Sequence, residues 1–92
     1  MKIYLDDIRK CPEGYILALS VNQAIKLIEE NKDDIELLDL DHDLGDFAVD
    51  GGDAICLLDW CVEHNFFPKV VLHTANPVGR TNMERLINRH WH

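Results

Sequence analysis

The chain has 92 residues, 47% hydrophobic and 28% charged, with a net charge of −8. Residues 1–92 are therefore expected to form a single domain around one core, and an acidic chain with no basic stripe excludes avid, sequence-independent binding of duplex DNA. No apolar run approaches the ~20 residues that a membrane span needs, so no membrane partner is expected. The three cysteines, Cys11, Cys56 and Cys61, form no C-x-x-C pair, and the amino terminus runs into a strand without a signal-peptide pattern. The expected location is the reducing cytoplasm, with core thiols.

Lys2–Leu5 (K-I-Y-L) is a short β-prone run that stops at Asp6-Asp7. Residues 6–14 carry Pro12 and Gly14 and read as a loop. Tyr15–Leu19 is a second short strand. Ser20 then caps a helix, with Gln23 three residues on as a capping box. Val21, Ala24, Ile25 and Ile28 form its apolar stripe, and Asn31–Asp34 ends it. The third strand runs through I-E-L-L-D-L from Ile35 and closes in acids: Asp39, Asp41, Asp43 and Asp46, with His42 and Gly45 among them. A long glycine-containing loop, of the kind that is often functional, leads to a helix over about Asp53 to His64 whose wide apolar face suits packing on a sheet. Lys69–Leu72 is the fourth strand, followed by H-T-A-N-P-V-G-R. Thr81 and Glu84 form a second capping box, which places the start of the last helix near Thr81. Met83, Leu86, Ile87 and His90 are its inner stripe.

Strands alternating with helices at this spacing imply a parallel sheet with right-handed crossovers. Open sheets of this kind hold ligands just beyond the carboxyl ends of their strands. Three of those ends carry polar groups: Asp6/Asp7, Asp41/His42/Asp43 and His73/Thr74/Asn76. Carboxylates about 5 Å apart repel by roughly 3 kcal/mol at an effective dielectric near 20, so such a cluster wants a cation, a shared proton or water. D-x-D-x-D also opens an EF-hand loop, but Leu44 stands where that loop requires glycine. Asp39, two residues before Asp41 on the strand, reads as a buried acid paired with a neighbour or capping a backbone group. His64, His90 and His92 read as helix-end or tail residues. Phe47, Phe66, Phe67 and Trp91 lie outside the periodic stripes, as core edge, stacking surface or dimer contact.

L-D-D-I-R near the start, L-D-H-D-L-G-D in the middle and H-T-A-N-P-V-G-R-T-N-M near the end resemble the cyclic-phosphate-processing receiver domains, a branch of the response-regulator receiver fold. The resemblance covers nearly the whole chain. It implies an α/β fold of shortened receiver-like (flavodoxin-like), three-layer form: a four-stranded parallel sheet in the order 2-1-3-4, with helices on both faces. Two departures from an ordinary receiver domain stand out. Residues 6–14 are too few for a helical crossover, and the usual fifth strand and its phosphate-contacting lysine have no counterpart within these residues.

The resemblance also implies roles for these residues. Asp6, Asp7 and Asp41 would hold Mg²⁺ or Mn²⁺. His42 and His73 would be base and acid in opening a 2′,3′-cyclic phosphate, unless one is a metal ligand or a hydrogen-bonded strut. Asp43 joins that catalytic group as ligand, partner or loop acid. Thr74, Asn76, Arg80 and Asn82 would grip phosphate, with Arg80 standing in for the missing lysine. The expected function is a metal-dependent phosphoesterase acting on cyclic phosphates of nucleotides or RNA ends. The alternatives are a phosphoacceptor signalling module that uses Asp41, and a non-catalytic phosphate-binding module.

Overall fold

Four short apolar runs become one parallel sheet. In the computed structural model, which describes residues 1–91, the elements are β1 (Lys2–Leu5), β2 (Tyr15–Ala18), α1 (Val21–Glu30), β3 (Leu37–Leu40), α2 (Ala54–Glu63), β4 (Lys69–Leu72) and α3 (Pro77–His90), with 3-10 turns at Lys32–Asp34 and Gly45–Val49. The sheet order is β2-β1-β3-β4 and every pairing is parallel, which is the order expected. His92 lies outside the described residues.

Ser20 is the N-cap of α1, as its capping box predicts: its Oγ accepts the Gln23 N–H at 3.1 Å, and Gln23 Oε1 accepts the Leu19 N–H at 2.9 Å. The same Oγ donates to Asp50 Oδ2 at 2.7 Å, and the Asn22 amide reaches Asp50 Oδ1. The long loop is thereby clipped to the start of α1.

α3 starts a full turn earlier than its sequence suggests. The expected opening at Thr81 is wrong: Asn76 is the N-cap, its Oδ1 accepting the Gly79 N–H at 3.0 Å, and Pro77 occupies the first helical position, where its missing N–H costs nothing. Thr81 Oγ1 instead donates back to the Pro77 carbonyl at 2.9 Å. The predicted inner stripe survives this shift, with Met83 fully buried.

The core explains which face is covered. Ile3 and Leu5 of β1 and Leu38 and Leu40 of β3 pack with Val21, Ala24 and Ile28 of α1, Leu57, Leu58 and Cys61 of α2, and Met83 of α3. All three helices thus lie on one face. The expectation of helices on both faces does not hold, and topology gives the reason. Right-handed crossovers from β2 to β3 and from β3 to β4 move in the same direction along the sheet, so α1 and α2 must share a side. Only the β1–β2 connection runs the other way, and it is a loop rather than a helix. The opposite face carries Lys2, Tyr15, Leu37 and Lys69 in one row and Tyr4, Leu17, Asp39 and Val71 in the next. Leu17 and Val71 there remain 41% and 39% exposed.

Candidate metal and phosphate site

The sheet ladder extends one residue past the strands and fixes the site backbone. The Asp6 N–H bonds Ala18 O at 3.1 Å, Asp41 N–H bonds Leu5 O at 2.9 Å, and His73 N–H bonds Leu40 O at 2.9 Å. These three residues therefore stand side by side at the carboxyl edge.

Asp6 is 1% exposed. Its Oδ1 accepts the N–H groups of Ile8 and Arg9 at 2.9 and 3.0 Å, which folds the following loop, and its Oδ2 faces His73 Nε2 at 2.9 Å. Burial works to raise its pKa. The Arg9 and Ile8 N–H groups and His73 outweigh burial and hold the carboxyl below its ordinary value. Asp7 turns to the other side. Its Oδ1 is buried with no hydrogen-bond partner among the described residues. Gly45 makes room for the other oxygen, since a Cβ at that position would meet Asp7 Oδ2 at 2.6 Å. Asp41 Oδ1 accepts the His42 N–H at 2.8 Å.

One carboxylate oxygen from each of Asp6, Asp7 and Asp41 lies within 4.8 Å of the others. At that separation each pair of charges repels by about 3 kcal/mol at an effective dielectric near 20. An orphaned buried oxygen adds a desolvation cost of about 1–3 kcal/mol. A hard divalent cation, which prefers oxygen and retains water, answers both demands. The donor set fits it.

His73 bridges acids far apart in the chain. Its Nδ1 lies 2.5 Å from Asp39 Oδ1 while its Nε2 contacts Asp6, and its ring stacks on Tyr4 at 4.5 Å between centroids with planes 1° apart. Asp39 is thus paired with a neighbour, one of the two states expected from its position on the strand. Burial, together with Asp6 and Asp39, raises the Tyr4 hydroxyl above its ordinary pKa. His42 lies on the helix side, its ring against α3, where only glycine fits: a Cβ on Gly79 would meet that ring at 2.5 Å. His42 Nδ1 contacts Asp43 Oδ1 at 2.8 Å, and the Asn76 amide holds both Asp43 oxygens at 3.0 and 3.2 Å. The bonds from His42 and Asn76 lower the Asp43 pKa. No described residue hydrogen-bonds His42 Nε2.

Of the residues expected to grip phosphate, Thr74, Asn76 and Arg80 have hydrogen-bond partners within the protein. Thr74 is buried and its Oγ1 accepts the Asn76 N–H at 3.1 Å. Asn76 divides its side chain between capping α3 and holding Asp43. Arg80 Nη2 donates to Leu72 O at 2.9 Å, and Asn82 is exposed on α3 beside Val78 and Arg85. The cation beside the acids is Arg9, unremarked from sequence. Its Nη1 donates to His73 O at 2.5 Å and its Nε lies 3.9 Å from Asp6 Oδ2. The Asp6–Arg9 spacing across a tight turn is the signal that would have found it.

The family model of the cyclic-phosphate processing receiver domain matches residues 1–89. The chain belongs to this family. Neither a search of curated proteins nor one of solved structures finds a match. As in receiver domains generally, the acids of this cyclic-phosphate processing receiver domain gather at the carboxyl edge of the sheet. Cys61 lies far from that chemistry, in the core, its thiol pushed up to about 12 by burial. No described helix is long and apolar enough to cross a membrane.

Proposed function

We propose that this protein is a metal-dependent phosphoesterase that hydrolyses a cyclic phosphate on a nucleotide or an RNA end. The observation that carries the reading is the orphaned Asp7 oxygen beside Asp6 and Asp41, a site with negative charge to spare at the edge where this fold binds ligands. Asp6, Asp7 and Asp41 would hold Mg²⁺ or Mn²⁺. The ion's contribution, when bound, is to neutralise the phosphoryl oxygens and lower the pKa of a bound water.

The remaining roles belong to the chain. Hydrolysis of a cyclic phosphodiester adds water to phosphorus, breaks one ring P–O bond and returns a proton to the departing ribose oxygen. His42 is the proton carrier in this reading: Asp43 orients its Nδ1 and leaves Nε2 to face substrate, the arrangement by which a base is held in one tautomer. Asn76 keeps Asp43 in place. His73, engaged at both nitrogens, is a positioning residue for Asp6. Arg9 supplies the positive charge for a phosphoryl oxygen.

The test is turnover of a 2′,3′-cyclic mononucleotide with Mn²⁺ or Mg²⁺, followed by product phosphate position. His42→Ala should lower kcat by a factor of about 10²–10⁴ while the metal-induced rise in Tm persists. Absence of turnover with either ion, or an unchanged rate in His42→Ala, overturns the assignment. Stable labelling of Asp41 by a phosphoryl donor without turnover would replace it with the signalling reading.

A further inference from the structure

Two exposed apolar side chains flank the acidic site, and neither the fold nor the proposed chemistry uses them. Ile8 directly follows Asp7 and is 86% exposed, and Phe47 is 37% exposed. They stand on the two loops that meet where Gly45, two residues before Phe47, abuts Asp7 Oδ2. Apolar side chains scattered singly over a surface need no explanation, but these two loops converge on one carboxylate. Neither residue belongs to the core cluster, and the Phe47 ring pairs with no other described aromatic ring. The Phe47 backbone is nonetheless fixed. Its N–H donates to Leu44 O and its carbonyl accepts the Asp50 N–H, both at 3.0 Å, and Asp50 is clipped to Ser20 and Asn22. A ring carried on such a turn is ordered by folding itself, so a ligand that covers it meets little further ordering cost.

Charge narrows what that ligand can be. Residues 41–53 hold five aspartates and no lysine or arginine. A nucleic-acid strand gains its affinity from lysines and arginines that neutralise successive phosphates, and the facing loop offers only Arg9 and Lys10. Arg9 is already engaged by the His73 carbonyl and lies 3.9 Å from Asp6. The surroundings therefore suit a ligand with one phosphate and a neutral, flat, apolar group. A nucleobase is such a group, and it stacks on aromatic side chains through its π-face whatever its identity. A second copy of the chain is a poorer occupant. Two side chains make a patch far short of the ~800 Å² that each partner of a stable interface contributes, and a self-paired rim would set two acidic loops against each other.

We infer that the substrate is a free nucleoside cyclic monophosphate whose base is seated on the Ile8–Phe47 rim, stacked on Phe47, while its phosphate lies at the acidic edge. This inference rests on the proposed activity and narrows its substrate from a nucleotide or RNA end to the free nucleotide. The base contact is remote from the P–O bond that breaks, so it is equally strong before and during the reaction. Such a contact acts on KM and leaves kcat alone.

The experiment compares turnover of three substrates with Mn²⁺: adenosine 2′,3′-cyclic phosphate, glycerol 1,2-cyclic phosphate, which has the ring but no base, and an oligoribonucleotide ending in a 2′,3′-cyclic phosphate. Saturation-transfer NMR of adenosine 3′-monophosphate reads the base contact without turnover. KM should be lower for the adenosine substrate than for the glycerol one by about 5–150-fold, the range that one stacked base spans. Phe47→Ala should bring that ratio to about one at an unchanged Tm, and Phe47→Trp should keep it. Phe67→Ala is the control, because Phe67 is 42% exposed but precedes β4 at the opposite edge of the sheet; it should leave the ratio at its wild-type value. Equal KM for the two small substrates, a ratio that survives in Phe47→Ala, or a higher kcat/KM for the oligoribonucleotide overturns the inference and leaves the esterase reading intact. Absence of turnover with all three overturns the esterase reading. Saturation transfer to the adenine protons that is lost in Phe47→Ala then upholds the base seat by itself, and its absence refutes the two together.

Discussion

Gly45 offers the sharpest perturbation of the acidic site, because its backbone and its space are separable. Its φ is +55°, and a Cβ there would lie 2.6 Å from Asp7 Oδ2. Gly45→Ala therefore has two effects. A left-handed backbone costs an L-residue about 1–2 kcal/mol, which for a domain of this size lowers Tm by roughly 4–8 °C per kcal/mol. The clash falls on the end of the Asp7 side chain, which rotates at little cost in stability and leaves the cluster. Gly14 supplies the control: its φ is +85° and nothing lies within 4 Å of a Cβ built there. Gly14→Ala pays the backbone cost alone. Thermal melts in EDTA should show similar losses for both variants. An ion at a hundred times its dissociation constant adds about 2.7 kcal/mol to the wild type, a rise of roughly 10 °C or more. Gly14→Ala should keep that rise. In Gly45→Ala, each tenfold loss of affinity removes about 1.4 kcal/mol of it. An undiminished rise in Gly45→Ala would refute the assignment of Asp7 as a ligand, and no rise in the wild type would reduce the cluster to a solvated rim.

Neutralising an acid should separate stability from binding. Asp7→Asn relieves repulsion among three carboxylates, so its melt in EDTA should rise by on the order of 1 kcal/mol while the metal-dependent increment disappears; a lower melt in EDTA counts against the repulsion argument. Acid sensitivity should centre on Asp6. Its folded pKa is depressed, so the stability it supplies is complete above the unfolded value near 3.9 and is lost as pH falls through the lower folded value. His73→Gln weakens one of the groups holding that carboxylate charged, and urea midpoints between pH 7 and 3 should show its acid limb moved to higher pH; superimposable limbs would refute the bridge. Ser20→Ala removes both the N-cap and the clip to Asp50, and should cost about 1–2 kcal/mol in urea melts. A change below ~0.5 kcal/mol would show that the loop is held elsewhere.

Much of this architecture is legible in local sequence because its causes are local. Four β-prone runs ending in polar residues place the chemistry on one edge, and Ser20 with Gln23 announces the start of α1. Asp39 could be read as an acid that needs a partner, a neighbour or a backbone group, because a lone carboxylate on an apolar strand is costly; the structure supplies His73. α3 shows where local signals compete. Asn76-Pro77 and Thr81-Glu84 both make good helix starts, and the choice between them lies in packing. Starting at Asn76 ties Asp43 to the N-cap and places Gly79 beneath the His42 ring.

Residue types, their alternation and their spacing determined the α/β class, the parallel sheet and the acidic edge, since each follows from the chemistry of neighbouring residues. The tertiary structure alone decided that the three helices share a face, because handedness acts on whole crossovers, and the connection from β1 to β2 on the other side is a loop rather than a helix. It alone decided that His73 joins Asp6 and Asp39, residues 67 and 34 positions away, and that Arg9 is the cation beside them. Such contacts depend on strand register and on which side chains a shared edge brings within a few ångströms, and no stretch of contiguous sequence carries that information.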